Sequence, residues 1–190
     1  MRAFIAINLP VEIREILATQ IDELDKTAIH GLRTVRPEGI HLTLKFLGEI
    51  PDTRAGDIEE ALRQSTKPFR PLTLKLSEAG TFPSPESARV LWIGVAGNTA
   101  VLNRLHQSID TSMEPLGFAR EMKKFQPHLA LARLNDRVKT KDRQRAADLH
   151  LSTWEPVKNG FTVGSVSLMR SELHPDGARY ETLANIPFTG

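Results

Sequence analysis

The chain has 190 residues, of which 25% are charged, a formal net charge of +2 and no cysteine. Without cysteine it has no disulfide, no cysteine-ligated zinc and no thiol nucleophile, which fits a reducing cytoplasm. The small positive charge allows an anionic ligand but is not typical of a protein that coats nucleic acid. Eighteen apolar residues never run together, so we expect a soluble cytoplasmic protein without a membrane span.

The first half of the chain alternates strand and helix patterns. Apolar residues alternate with polar ones in its strand segments and recur at helical spacing between them. The predicted elements are a strand over 2–8, a helix over 11–26, a strand within 40–50, a helix capped by Asp52 or Thr53, and a strand over 71–82.

The second half repeats this order and adds strands at its end. A segment with the sequence GFAREMKKFQP, residues 117–127 and here called the basic loop, precedes a strand that begins at His128. The other predicted elements are strands over 89–95, 160–173 and 178–188, and helices over 99–113 and 139–150.

One phrase occurs twice in the chain. HLTLKFLGE begins at His41, and the related HLALARLND begins at His128, 87 residues later. The same offset brings Arg2 to Arg89, where the two apolar strands RAFIAI and RVLWIG begin. An offset that persists over successive elements indicates an internal duplication rather than a chance motif.

The duplication predicts two β-α-β-α-β units, approximately 2–80 and 89–173, within one bilobal domain spanning 1–190. Equivalent strands of duplicated units are expected to face each other across a pseudo-twofold axis. The result would be a central cleft with one histidine on each wall.

Strand parity predicts which side chains face this cleft, because residues i and i+2 share one face of a strand. Leu42, Leu44 and Phe46 are expected to point into the core. The side chains predicted to face the cleft are His41, Thr43 and Lys45 in the first copy, and His128, Ala130 and Ala132 in the second.

Two facing histidines suit displacement at phosphorus. Imidazole titrates near pH ~6.5, so one ring can accept a proton from the attacking oxygen while the other protonates the leaving oxygen. The Thr43 hydroxyl would donate to a phosphate oxygen. This chemistry requires neither a metal nor another cofactor. The alternative is that both histidines are structural; a zinc site is a poorer interpretation, since no third ligand stands at a suitable spacing.

The quoted motifs resemble the two HxTx signatures of the 2H phosphoesterase superfamily. The resemblance is closer to the RNA 2′,3′-cyclic phosphodiesterases, historically called 2′-5′ RNA ligases. It covers nearly the whole chain, through the segments RAFIAINLP, FPSPESARVLWIGV, FQPHLALAR and LMRSELHPDGARY.

This resemblance implies a bilobal α+β fold with antiparallel sheets facing the cleft. It also implies a metal-independent hydrolase that opens the terminal 2′,3′-cyclic phosphate of RNA to a 2′-phosphate. His41 then corresponds to the proton donor for the departing 3′-oxygen, and His128 to the proton acceptor that activates water. The reverse 2′-5′ joining of RNA ends is associated with the family. A cleft formed within one chain needs no second subunit, so we expect a monomer.

Three further positions bear on substrate binding. Ala130 stands where the resembled family has Thr or Ser, so the second wall lacks a hydroxyl. Arg133 matches the arginine that closes the second motif, and a guanidinium suits bidentate contact with phosphate. Its parity is opposite to that of His128, so it reaches the cleft only if the strand ends or bulges before it. Lys45 has the parity of the cleft face and is a second candidate cation.

The basic loop is a candidate for holding an RNA backbone. Arg120, Lys123 and Lys124 supply the charge, and Phe125 is a ring on which a base could stack. The alternative is an ordinary solvated loop. Trp92 is expected in the core.

Two other functions fit the same residues. One is a protein that binds RNA or nucleotide ends, with Ala130 marking a site in which catalysis has been weakened. The other is a phosphodiesterase that acts on small cyclic nucleotides or 2′-5′ oligonucleotides.

Overall fold

A computed structural model gives the fold and describes residues 1–174 and 177–190. Pro175 and Asp176, which belong to the segment LMRSELHPDGARY, lie outside the described residues. The helices are α1 (Val11–Asp25), α2 (Ala55–Thr66), α3 (Thr99–Met113) and α4 (Thr140–Thr153). The strands are β1 (Arg2–Asn8), β2 (Leu32–Thr34), β3 (His41–Glu49), β4 (Leu72–Phe82), β5 (Val90–Gly97), β6 (His128–Leu134), β7 (Gly160–Val163), β8 (Ser165–His174) and β9 (Gly177–Pro187).

Helix α2 begins later than the sequence predicts. Asp52 and Thr53 lie in a single 3₁₀ turn, Asp52–Arg54, and the α-helix starts at Ala55 without a side-chain cap. The cap prediction is therefore wrong. The strand predicted over 160–173 is divided at Gly164 into β7 and β8, and β2 was not predicted.

The strands form two antiparallel sheets, which confirms the predicted α+β class. One sheet has the order β3-β1-β8-β9, and the other has the order β2-β6-β5-β4-β7. The last strand of the first repeat, β4, pairs with β5 of the second, and β8 of the second repeat pairs with β1 of the first. Each sheet is therefore built from both repeats.

Strands β4 and β7 pair in the register that a twofold axis requires. Leu74 lies opposite Phe161, which is 87 residues further along the chain. On either side, Thr73 pairs with Thr162 and Lys75 pairs with Gly160. When each residue is replaced by its counterpart 87 positions away, one of these pairs becomes the other. This register is the one that a twofold axis through the Leu74–Phe161 pair would produce.

The offset is not constant over every strand. Asn8 pairs with His41, whereas the residue that pairs with His128 is Gly94. Strands β1 and β5 therefore correspond at 86 residues, one fewer than the histidine strands.

We propose that the chain is one bilobal domain, 1–190, made of copies at approximately 2–80 and 89–173, because the strand exchange makes neither copy's sheet complete alone.

A single main core joins the two repeats. Its buried residues come from both, including Ile5, Leu42, Leu74, Ile93 and Leu129. Helix α1 packs beside α4 and α2 beside α3, so each helix pair also combines both repeats. Within residues 1–174 and 177–190, no helix is both long and apolar enough to cross a membrane.

Candidate active site

Both histidine strands bulge at corresponding positions. In the β1–β3 pair, Ala6 lies opposite Thr43 and Ile5 opposite Lys45, so Leu44 is the extra residue. In the β5–β6 pair, the extra residue is Leu131, 87 residues later. A bulge turns two successive residues to one face and reverses the parity of those that follow.

The first bulge corrects two predictions about β3. Lys45 lies in the interior and is 3% exposed, and its Nζ donates to Asp110 Oδ1 at 2.5 Å and to the Ala119 carbonyl at 2.8 Å. Its predicted orientation toward the cleft is therefore wrong. Phe46, expected in the core, is 59% exposed and lies 6.2 Å from Phe4, ring centre to ring centre.

The second bulge brings Arg133 to the cleft. Leu131 and Ala132 are both buried, and Arg133 is exposed. The positive charge of Arg133 lowers the pKa of both His41 and His128. Its charge therefore acts on the rings of both histidine strands.

The two histidines are held in the same way. His41 Nδ1 lies 2.7 Å from the Gly39 carbonyl, and His128 Nδ1 lies 2.7 Å from the Gln126 carbonyl. A carbonyl oxygen can only accept, so Nδ1 carries the proton and donates it in each case. Nε2 is therefore the unprotonated nitrogen of each neutral ring and the one available for proton transfer.

The histidine strands are neighbours although they belong to different sheets. Strand β3 lies against β6, and the Val35 N–H, just upstream of β3, donates to the carbonyl of Leu131 at 2.7 Å. Val35 directly follows β2, the strand that pairs with β6, so the segment that leads to β3 is hydrogen-bonded to the bulge of β6.

Burial is the main influence on both rings. It lowers the pKa of His41 to about 4, and the Gly39 hydrogen bond only partly opposes this effect. The pKa of His128 is lowered by burial, with the Gln126 hydrogen bond again opposing. Both rings are therefore neutral at pH 7 in the empty cleft. A bound phosphate would favour the charged form and raise both pKa values.

Aromatic rings pack against each histidine. Phe4 lies 4.6 Å from the His41 ring, and Phe82 lies 4.9 Å from the His128 ring in an edge-to-face arrangement. Trp92 is also on the cleft side, 6.0 Å from His128, and not in the main core as the sequence predicts. These rings exclude water from the imidazoles and account for the burial that lowers their pKa values.

The walls differ chemically at one corresponding position. Thr43 supplies a hydroxyl on the first wall, whereas Ala130 lies opposite Trp92 on the second and supplies none. Among the described residues, Trp92 Nε1 is buried without a hydrogen-bond partner. Its ring lies against Gly80 of β4, where any Cβ would clash with the indole at 2.2 Å. Part of the indole thus lies over β4, the strand on the other side of β5 from β6.

Comparison with known proteins identifies the family. A family model described as LigT-like phosphoesterase matches residues 7–92. The RNA 2′,3′-cyclic phosphodiesterase of Archaeoglobus fulgidus is 35% identical over 183 residues, which cover 96% of this chain and 98% of that protein. The chain belongs to the LigT-like phosphoesterase family.

Solved structures of LigT-like phosphoesterases share the whole fold. TT0787 of Thermus thermophilus aligns with a TM-score of 0.78 and 27% identity, covering 100% of this chain and 99% of its own. Escherichia coli LigT complexed with 3′-AMP aligns with a TM-score of 0.70 and 28% identity, covering 100% and 98%.

Sequence reasoning missed one residue of this LigT-like site. Tyr180 of β9 packs edge-on against His41 at 4.8 Å and against Phe4 at 5.4 Å. Burial raises the pKa of its hydroxyl, and the charges of Arg133 and Arg2 partly offset this. It is the chain's only tyrosine, but the order of strands, which places β9 at the opposite edge of the sheet from β3, has no signal in the sequence.

Two histidines outside the repeated motif are buried. His150 Nε2 lies 3.0 Å from the Trp92 carbonyl, and His106 stacks on Phe125 of the basic loop at 4.1 Å. Phe125 is therefore occupied by His106 and is not a free platform for a base.

Within residues 1–174 and 177–190, no group of three or more His, Asp or Glu side chains is arranged to hold a metal ion.

Proposed function

We propose that this chain hydrolyses the terminal 2′,3′-cyclic phosphate of RNA to a 2′-phosphate by acid–base catalysis that needs no metal. One observation carries the proposal. The two histidines of the repeated motif each donate Nδ1–H to the carbonyl two residues earlier, and Arg133 influences both rings. The relatives are named RNA 2′,3′-cyclic phosphodiesterase, which supports this choice of reaction.

The proton transfers are assigned to the two Nε2 atoms. His128 accepts a proton from water as its oxygen attacks phosphorus. The bond from phosphorus to the 3′-oxygen breaks, and His41 donates its proton to that oxygen. His41 must therefore be charged in the complex although it is neutral in the empty cleft, and the negative phosphate supplies the electrostatic reason. Exchange with solvent restores both rings after each turnover.

Phosphate binding is assigned to Thr43 and Arg133. The hydroxyl and the guanidinium would donate to the non-bridging oxygens, where negative charge increases in the transition state. Ala130 offers only a methyl group, so the second wall contributes less to binding. Lys45 is not part of this proposal, because both hydrogen bonds of its ammonium are made to interior groups.

The experiment uses a short RNA with a 2′,3′-cyclic end, incubated in the presence of a chelator. We expect a 2′-phosphate product, and loss of at least about a hundredfold in rate for His41→Ala and His128→Ala. His30→Ala is the matched control, since His30 is exposed and distant in sequence from both motifs. Loss of activity in chelator, or full activity in both cleft variants, would contradict the mechanism.

Ala130 favours a second candidate function, the binding of RNA or nucleotide ends with weakened catalysis. In that case the protein would bind an RNA ending in a phosphate but would not hydrolyse the cyclic end. The same incubation separates the two functions, and small cyclic nucleotides, 2′-5′ oligonucleotides and an RNA with a 5′-hydroxyl test the related substrates and the reverse joining.

The protein is proposed to act as a cytoplasmic monomer. Both walls of the cleft come from one chain, and the absence of cysteine suits a reducing compartment. Light scattering after size-exclusion chromatography should give a mass near 21.2 kDa.

A further inference from the structure

The basic loop connects the end of α3 to the second histidine strand, and its cations are exposed to solvent. We propose that this loop is the docking surface for single-stranded RNA on the 5′ side of the reacting end. The inference rests on the proposed function and adds to it a binding site for the rest of the chain.

The backbone of the loop is tied to both walls of the cleft. On one side, the buried ammonium of Lys45, from β3, donates to the Ala119 carbonyl at 2.8 Å. On the other side, the Gln126 carbonyl accepts from His128 Nδ1 at 2.7 Å, and the Pro127 carbonyl accepts from a β5 amide. The loop therefore connects the interior side of the first histidine strand to the start of the second.

Two contacts fix the middle of the loop. The Glu121 N–H lies 3.3 Å from both carboxylate oxygens of Asp110, and Phe125 stacks on His106 with 9° between the ring planes. Although burial opposes the charge of Asp110, hydrogen bonds from Lys45 and Glu121 keep its pKa below the ordinary value. A loop held at these points presents its exposed side chains in a fixed position.

The exposed part of the loop carries two lysines. Within the described chain, neither Lys123 nor Lys124 has an ion pair, and Met122, between Lys123 and Glu121, is 95% exposed. Lys124 precedes His128 by four residues, which span at most about 14 Å of chain. Its ammonium is thus within reach of the phosphates on the 5′ side of the reacting one. Positive side chains along such a path bind the backbone of single strands regardless of sequence.

The test compares two substrates of the same chemistry and different length. One is an RNA oligonucleotide with a 2′,3′-cyclic end, and the other is a 2′,3′-cyclic mononucleotide, which has no further phosphate. The variant is the double substitution Lys123→Gln and Lys124→Gln. We expect kcat/KM on the oligonucleotide to fall about tenfold and the log–log slope of its salt dependence to decrease by about 0.7 for each phosphate that is no longer neutralised. The mononucleotide rate should not change.

The matched control is the double substitution Lys139→Gln and Lys141→Gln. Both lysines are exposed, and they lie at the start of α4, beyond the end of β6 that is opposite to His128. This control removes the same charge from the protein and should leave both rates unchanged. Lys123→Arg with Lys124→Arg keeps the charge and should retain the preference for the oligonucleotide.

Equal losses on both substrates, or a loss no larger than that of the control, would overturn the docking surface and leave the proposed hydrolysis intact. A second arm measures the anisotropy of a labelled RNA that ends in a 2′-phosphate. If neither substrate is hydrolysed but this binding still depends on Lys123 and Lys124, the docking surface is supported and the proposed function is not. Binding that ignores both lysines overturns the inference.

Discussion

Leu74 and Phe161 lie opposite each other in the β4–β7 ladder and occupy the same position in the two repeats. The two histidine strands also carry a bulge at the same position, so the backbone pairing near the two histidines is alike. The side chains are not, since Thr43 corresponds to Ala130. The effect of a side chain at position 130 can therefore be compared directly with the effect of its counterpart at position 43.

The first prediction concerns the missing hydroxyl. Ala130→Thr should raise kcat on an RNA with a 2′,3′-cyclic end about tenfold to a hundredfold. A hydrogen bond to a charged group contributes about 1.5–3 kcal/mol, and each 1.36 kcal/mol in the transition state is a factor of about ten in rate. Ala130 is partly exposed and the Trp92 ring opposite it lies against Gly80, so we expect the larger side chain to be accommodated. Steady-state kinetics measures the change.

Ala130→Val is its control, because valine has the shape of threonine without the hydroxyl. It should give no gain, and Thr43→Val on the opposite wall should lose about as much as the threonine gains. If valine and threonine at position 130 gave the same rate, the effect would be one of packing and the hydroxyl account would be wrong.

The second prediction concerns pH. The free protein needs one charged and one neutral histidine, and burial lowers the pKa of His41 to about 4 and also lowers that of His128. As pH rises above these values the charged form disappears, so kcat/KM should have its optimum below the ordinary histidine value of about 6.5 and fall through neutrality. The optimum of kcat should lie at higher pH, because bound phosphate raises both pKa values. Rate profiles over about pH 4 to 9 give both optima; a kcat optimum at lower pH than that of kcat/KM would contradict this account.

The third prediction isolates the charge of Arg133. Arg133→Met removes a positive charge that lowers the pKa of both histidines, so each ring should titrate at higher pH. NMR titration of the ring protons measures this in the free protein. The substitution should also raise KM for the cyclic-phosphate RNA about tenfold or more, because the charge-assisted hydrogen bond to phosphate is removed.

Arg137→Met is the matched control for that variant. Arg137 is exposed in the turn after β6, and it should affect neither the titrations nor KM. Unchanged histidine titrations in Arg133→Met would show that the guanidinium lies too far from the rings to bind their shared phosphate.

Alternation along the strands predicted the burial pattern correctly as far as Leu44, since His41 and Thr43 are partly exposed and Leu42 is buried. It failed beyond Leu44, because a bulge adds one residue to the strand there. The two-residue alternation of apolar and polar side chains does not reveal where a bulge occurs. Lys45 and Phe46 therefore exchanged faces relative to the prediction. The prediction for Arg133 depended on a bulge or a strand end before it, which the sequence does not reveal; the bulge is present in β6.

Residues brought together by strand order were beyond prediction. Tyr180 reaches His41 because β9 joins the sheet of β1 and β3 through β8. Exchange of β4 and β8 between the repeats likewise depends on long-range pairing. Local sequence patterns identify strands and helices, whereas which strands pair with each other is determined by the packing of the whole core.

The final prediction concerns the ion pair between Lys45 and Asp110, which are 3% and 4% exposed, respectively. Lys45→Met leaves a buried carboxylate without its ammonium and should reduce the free energy of unfolding by about 3–5 kcal/mol in urea denaturation. Lys45→Met combined with Asp110→Leu removes both charges and should recover part of that loss, because no unpaired charge remains. Lys26→Met, at the exposed Lys26–Glu23 pair, is the control and should leave the denaturation curve unchanged. If the double variant were less stable than the single one, the hydrogen bonds that the pair makes to the basic loop, and not charge compensation, would be what stabilises this part of the fold.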